Sequence, residues 1–213
     1  MTNSDDLAER NSLGADISAA YIHDVKNSLN LLMSKADAGH DAESMRLLME
    51  ADDKLNHLLL MYKMQGGMLC INTDAVDPHS FLDILAASYQ PFTKHPLRII
   101  NEDSSTDFYF DRGLIELCLG NAIHNADRFT LSEIRLSFRI ENGMTVIAVS
   151  DDGPGYPDHI LATFGNGALT SDDGTGLGLY LSSRIAHLHV NKQTHGFVQI
   201  YNKCGAVFEM HLP

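Results

Sequence analysis

The spacing of apolar positions divides the chain into two parts. From about Leu7 to Gln65 there is no proline, Gly14 and Gly39 are the only glycines, and Ala, Leu, Met, Asp, Glu and Lys dominate, a mix that favours helix. Leu13, Ile17, Tyr21, Val25, Leu29 and Leu32 recur at three- or four-residue steps, as do Leu48, Ala51, Leu55, Leu58 and Tyr62. These steps predict two helices, each with one apolar stripe. Gly39, within Asp37-Ala38-Gly39-His40-Asp41, suits a C-terminal cap and Asp41 the next N-cap, so the two helices form a hairpin. A lone hairpin covers only part of such stripes, and pairing two hairpins into a four-helix bundle is the economical way to bury them. A homodimer is therefore expected.

After Gly66-Gly67 the pattern changes to mixed helix and strand, punctuated by Asp77-Pro78, Asp111, Glu141-Asn142-Gly143 and Lys203-Cys204-Gly205. We read residues 1–66 as the helical hairpin, 67–76 as a linker and 77–213 as a second domain. In that domain Phe81 to Tyr89, Gly113 to Asp127 and Gly178 to His189 read as helices. Ile134 to Ile140 and Thr145 to Ser150 read as a hairpin turning at Asn142-Gly143, and Phe197 to Tyr201 with Ala206 to Leu212 as a closing hairpin. The expected class is α+β: a dimeric helical bundle followed by an α/β sandwich with helices on one face of a mixed, mostly antiparallel sheet.

Composition narrows the function. At 213 residues and 44% hydrophobic the chain can bury a real core, and a net charge of −13, with no basic run, would repel a nucleic acid backbone. Cys70, Cys118 and Cys204 are odd in number and widely spaced, which suggests neither a disulfide framework nor a zinc site. The polar N-terminus, and an apolar run at Leu58 to Met61 too short to span a bilayer, lead us to expect a cytoplasmic protein without membrane insertion. The 11 histidines, among them His187 and His189, match no closed metal-ligand set.

Three segments of the second domain carry chemistry, in this order: Asn121-Ala-Ile-His-Asn125, Asp151-Asp-Gly153-Pro-Gly155 and Gly174-Thr175-Gly176-Leu177-Gly178-Leu179. Asn121 and Asn125 are one helical turn apart and share a face, so both amide oxygens can meet one ligand, and such hard donors suit Mg²⁺ bridged to phosphates. Arg128, about one turn on, can meet a phosphate charge. Asp151 follows the apolar run Val146-Ile147-Ala148-Val149, and its carboxylate can accept a hydrogen bond from an exocyclic amine, while the glycines after it permit a tight turn around a flat ligand. Gly174 to Leu179 can cradle phosphate at a helix N-terminus, although it has neither the preceding strand of a dinucleotide fold nor the Gly-Lys-Ser/Thr ending of a P-loop. Each segment alone has a bland reading as a turn or a solvated helix face; the ordered conjunction does not.

Taken together, residues 77 to 213 resemble the ATPase superfamily shared by histidine kinases, gyrase, mismatch-repair ATPases and a heat-shock chaperone. The resemblance implies ATP and Mg²⁺ as cofactors. It makes Asn125 the Mg²⁺ ligand, Asn121 a neighbouring site residue and Arg128 the basic residue of an N-x-x-[KR]-[YF] pattern. It makes Asp151 the adenine-amine acceptor with Gly153 and Gly155 along the base, Gly174, Thr175, Gly176, Leu177 and Gly178 the triphosphate loop, and Tyr156 to Asp173 a lid. Asp127 departs from the family, which usually has an apolar residue there.

The N-terminal helix selects among these relatives. Tyr21-Ile22-His23-Asp24-Val25-Lys26-Asn27-Ser28-Leu29 resembles the phosphoacceptor segment of histidine kinase dimerisation domains, with Ser28 where the family commonly has Pro. A nucleophilic imidazole must be neutral at one nitrogen, and an adjacent carboxylate can hold the other N–H, so Asp24 is the candidate general base for His23. Asn27 lies one turn on, where the resemblance implies contact with the γ-phosphate or with a hydrolytic water. The implied activity is ATP-dependent phosphorylation of His23, transfer to an aspartate of a response regulator receiver domain, and phosphatase action on that same partner. The short stretch ahead of His23 leads us to expect that a separate sensor protein or a small ligand delivers the stimulus. The rival readings are an ATP-independent histidine phosphotransfer adaptor using the same His23, which would not need the three glycine and asparagine motifs, and a serine kinase of the anti-sigma type, which would leave His23-Asp24 unexplained.

Overall fold

A computed structural model describes residues 42–101, 108–164 and 175–213, together with positions 25, 29, 32–34 and 39. The chain divides into two compact units, Met1–Leu69 and Cys70–Pro213.

In the first unit, helix α1 runs over Ala42–Gln65 and closes at Gly66-Gly67, where Gly67 takes φ 65° and Met68 N–H donates to Lys63 O. Of the stripe read from the sequence, Leu48, Leu55 and Tyr62 are half-buried, whereas Ala51 and Leu58 are exposed, Leu58 by 56%. The buried positions are instead Met45, His57 and Leu60. Val25 and Leu32 are exposed as well.

The second unit begins at Cys70. Strand β1 (Asp74–Val76), placed in the linker by the sequence reading, pairs antiparallel with β3 (Phe108–Phe110). Helix α2 (Pro78–Tyr89) starts where Asp77 accepts from Ser80 N–H at 3.1 Å and Pro78 occupies the first turn, the position at which a missing N–H is not needed. A 3₁₀ turn, Gln90–Phe92, leads to β2 (Leu97–Asn101). Helix α3 (Arg112–Phe129) is capped by Asp111, whose Oδ1 accepts from Leu114 N–H at 3.1 Å. Strands β4 (Ile134–Glu141) and β5 (Met144–Ser150) turn through Asn142 and Gly143, both at positive φ, as a two-residue hairpin of this twist requires. The short helix α4 (Asp158–Thr163) follows, then α5 (Thr175–Leu188), the ribbon β6 (Val190–Asn191) and β7 (Thr194–His195), and the closing strands β8 (Phe197–Asn202) and β9 (Ala206–Leu212).

The main sheet has the order β2-β4-β5-β9-β8, with β2 parallel to β4 and every other pair antiparallel. This is the mixed α+β architecture expected. The register aligns Phe138, Ile147, Met210 and Val198 in one cross-strand row and Leu136, Val149, Phe208 and Ile200 in the next, all buried where α2, α3 and α5 pack. Each large side chain so removed from water contributes about 1.5 to 3 kcal/mol.

The opposite face is closed by polar side chains. Arg139, Val146, His211 and Phe197 form a row there, and the small Val146 and Ala148 leave room for longer neighbours to fold over them. Glu209, 5% exposed, accepts from Tyr201 Oη at 2.9 Å and pairs with Arg139 at 3.1 Å. His211 stacks on Phe197, and its Nε2 lies 3.3 Å from Glu209 without the alignment of a hydrogen bond. Burial by itself would raise the Glu209 pKa, but His211, Tyr201 and Arg139 outweigh it and hold the carboxyl at about 2.

Candidate functional site

Between the C-terminal half of α3 and the segment after β5 lies a cavity of about 520 Å³, within the range of small-molecule sites. Helix α3 contributes Ala122, Asn125, Ala126, Arg128 and Phe129. The sheet contributes Val149, Ala206 and Phe208 as an apolar floor. The turn after β5 adds Asp151, Pro154, Gly155, Tyr156 and Pro157, and α4 adds His159 and Ile160.

Asp151 is the buried charged group of this cavity, 6% exposed. Its Oδ1 accepts from Gly153 N–H at 2.8 Å and from Ala206 N–H at 3.1 Å, while its own N–H donates to Ala206 O at 3.0 Å. Both side-chain hydrogen bonds fall on one oxygen. Oδ2 has none among the described residues and remains an acceptor held in fixed orientation. The β8–β9 turn comes this close because Gly205 has no Cβ; one added there would overlap the Asp151 carbonyl. Burial, and then the Asp151 carboxylate, push the Tyr156 phenol pKa well above its usual range, so Tyr156 stays neutral.

Asn125 is half-buried on the cavity side of α3 and makes no side-chain hydrogen bond among the described residues, so its amide is available to a ligand. Arg128 lies over the Phe129 ring at 5.6 Å and has no carboxylate partner among the described residues. Asn121 is one turn back, outside the cavity lining, with its amide against Gly178 at the start of α5. A Cβ at Gly178 would overlap that amide, so the close approach of α5 to α3 depends on glycine there. Leu177 is half-buried beside it, and Thr175 and Gly176 form the first turn of α5.

The residues singled out by sequence are thus partly brought together. Asn125, Arg128, Asp151 and Gly155 line one cavity, and Asn121 meets Gly178 next to it. Gly153 is not in the lining; it lets the turn pass against the Phe129 carbonyl, which an added Cβ would strike. Gly174 and the second half of the lid, 165–173, lie outside the described residues, as do His23, Asp24 and Asn27. Asp127 points away from the cavity, accepting from Lys94 N–H at 2.8 Å and His95 N–H at 3.2 Å, which accounts for a carboxylate at that position.

Three contributors were missed. Asp152 accepts from Leu131 N–H and Ser132 N–H, each at 3.0 Å, and from Ser132 Oγ, fixing the loop after α3; these bonds, from Ser132 above all, hold its carboxyl well below the usual range. Ala206 supplies a backbone donor to Asp151, and Asn202 bonds to Tyr156. All three are side chain to backbone contacts or contacts across more than 20 residues, and the only signal for the last two was the turn Lys203-Cys204-Gly205.

Known proteins place this geometry. Residues 110–213 match the family of histidine kinase-, DNA gyrase B-, and HSP90-like ATPases. The chain is 31% identical over 105 residues to the signal transduction histidine-protein kinase AfsQ2 of Streptomyces coelicolor, covering 46% of this chain and 19% of that protein. It is 27% identical over 194 residues to the sensor histidine kinase GtrS of Pseudomonas aeruginosa, covering 86% and 38%. Its fold is similar to full-length ShkA in complex with AMPPNP, with a TM-score of 0.66 at 22% identity over 92% of this chain and 45% of that one. It is also similar to the Acinetobacter baumannii histidine kinase AdeS, with a TM-score of 0.59 at 19% identity, covering 89% and 96%. The chain spans less than half the length of these two curated relatives. No helix among the described residues is long and apolar enough to cross a membrane. With Asn125, Arg128, Asp151 and Gly155 set around one cavity in a mixed α+β fold, residues 110–213 carry the match to the histidine kinase-, DNA gyrase B- and HSP90-like ATPases, and the chain is similar to the catalytic cores of sensor histidine kinases.

Proposed function

We propose that the protein is an ATP-dependent protein histidine kinase that phosphorylates its own His23 and passes the phosphoryl group to an aspartate of a response regulator receiver domain. The observation that carries the ATP site is the Asp151 carboxylate, held by two backbone N–H groups through Oδ1 and leaving Oδ2 toward the cavity. A fixed anionic acceptor above an apolar floor of Val149 and Phe208 suits a flat base with an exocyclic amine.

Asn125 offers one hard oxygen donor, and no cluster of three or more His, Cys, Asp or Glu exists among the described residues. That donor fits a Mg²⁺ ion, which Asn125 would hold and which would supply charge neutralisation to the triphosphate. Arg128, without a carboxylate partner among the described residues, meets phosphate charge, and the segment Gly174, Thr175, Gly176, Leu177 and Gly178 wraps the triphosphate. Phosphoryl transfer asks the protein mainly for positioning and electrostatics. His23 attacks in line, its N–P bond forming as the bond to the ADP oxygen breaks, with Asp24 taking up the other imidazole N–H and Asn27 contacting the γ-phosphate. In the reverse mode Asn27 orients the water that dephosphorylates the receiver.

The helical hairpin of residues 1–66 is the dimerisation unit, a reading supported by the exposed Leu47 and Leu58 of α1. A homodimeric four-helix bundle would cover them. The site of action is the cytoplasm.

Incubation with γ-labelled ATP and Mg²⁺, alongside His23→Ala and Asn125→Ala, tests this reading. An acid-labile, base-stable label, lost in both variants, is expected. No label in the wild type, with no ATP binding by titration, overturns it in favour of an ATP-independent phosphotransfer adaptor.

A further inference from the structure

The wall of the cavity facing α3 is a stretch of irregular chain, Pro154 to Pro157, leading into the six-residue helix α4. Irregular backbone of this kind has few hydrogen bonds of its own and keeps its place only if something outside it supplies them. Here the supply comes from one side chain 46 residues away. Asn202, the last residue of β8, accepts from Tyr156 N–H through Oδ1 at 2.7 Å and donates from Nδ2 to Tyr156 O at 3.0 Å. Both polar groups of one wall residue are therefore satisfied by one amide. Gly155 makes this possible: its φ of 85° turns the chain toward Asn202, and a Cβ there would sit 2.6 Å from the Asn202 amide carbon. Neither Asp nor Leu could replace that amide, because the pairing needs an acceptor and a donor side by side.

We propose that Asn202 is a positioning residue of the nucleotide site, which clamps the Gly155–Tyr156 wall against the closing hairpin and so sets the width of the base pocket. This rests on the reading of the cavity as the nucleotide site. Asn202 does not line the cavity and touches the ligand only through Tyr156. The same hairpin delivers Ala206 N–H to Asp151, so β8 and β9 hold both the acceptor for the base and the wall beside it. Loss of the clamp widens the base side while the phosphate side, built from α3 and α5, is untouched.

The test is titration of the full chain with ADP and, separately, with inorganic tripolyphosphate, in the wild type, Asn202→Ala and Asn202→Asp, with melting of each protein without ligand. Asn202→Asp keeps the acceptor for Tyr156 N–H and loses the donor, which preserves the fold if Asn202→Ala does not. A roughly tenfold loss of ADP affinity in Asn202→Ala, with a smaller loss in Asn202→Asp and unchanged tripolyphosphate binding, is expected. Equal ADP affinity in all three proteins overturns the clamp and leaves the nucleotide site standing. A parallel loss of ADP and tripolyphosphate binding together with a lowered melting temperature assigns Asn202 to general stability and also overturns it. Failure of the wild type to bind ADP removes the nucleotide reading and this inference with it.

Discussion

Replacement of Asp151 by Asn removes the carboxylate charge and turns one acceptor into a donor while leaving the size of the side chain unchanged. The amide oxygen takes the place of Oδ1, where Gly153 N–H at 2.8 Å and Ala206 N–H at 3.1 Å donate to it, because the alternative rotamer would set an NH₂ against two N–H groups. The NH₂ then occupies the position of Oδ2 and faces the cavity. A base presenting an exocyclic amine meets a donor instead of a carboxylate. It loses a charge-assisted bond of about 1.5 to 3 kcal/mol and leaves an N–H unpaired at a further cost of about 1 kcal/mol, so ADP affinity should fall about 100- to 1000-fold. A base with a carbonyl in that place, hypoxanthine, gains what adenine loses, so the order of ADP and IDP affinities should invert. Calorimetric titration of both nucleotides into wild type and Asp151→Asn reads this directly, and the two retained backbone bonds keep the melting temperature close to wild type. Wild-type ADP affinity in a folded Asp151→Asn protein would refute the reasoning, because the base could not then be read by Oδ2. Asp151→Ala is the destabilising contrast, since it strands the Gly153 and Ala206 N–H groups.

Other parts of the domain yield sharper tests of stability than of binding. The Glu209 carboxyl is held at about 2 against an ordinary 4.5, so its stabilisation is complete above about pH 4.5 and disappears as pH falls toward 2. After solvent screening at the partly exposed Arg139 this amounts to about 1 to 2 kcal/mol; Glu209→Gln should lose it at neutral pH and show a flatter acid limb in denaturant titrations, and an unchanged limb would contradict the assignment. His189 donates from Nδ1 to Ile185 O at 2.9 Å and accepts from Asp111 N–H at Nε2 at 3.0 Å, tying the end of α5 to the start of α3. Its replacement by Ala should cost about 2 to 3 kcal/mol in urea unfolding, and less than about 0.5 kcal/mol would show the tie to be idle. Gly178→Ala drives a methyl into the Asn121 amide and should cost about 1 to 3 kcal/mol; adding Asn121→Ala should recover most of it, and an additive double variant would deny the contact.

The sequence alone determined what is local. The 3.6-residue recurrence of apolar positions found α1, the sequence reading placed α2, α3 and α5 within a few residues, and the Asn142-Gly143 pair fixed the β4–β5 hairpin because few other dipeptides tolerate two positive φ angles. The order of the Asn121, Asp151 and Gly174 motifs was enough to expect the ATPase family that residues 110–213 match. The strands β1, β2 and β3 escaped notice because at three to five residues they carry too little periodicity to distinguish them from loop. Only the tertiary structure decided that Asp151 gives one oxygen to the Gly153 and Ala206 N–H groups and leaves the other without a hydrogen bond among the described residues, that Asp127 serves the loop at Lys94 and His95, and that Asn202 reaches Tyr156. Those are hydrogen bonds between segments 2 to 55 residues apart whose geometry exists only once sheet register sets which groups face each other, and no spacing along the chain encodes that.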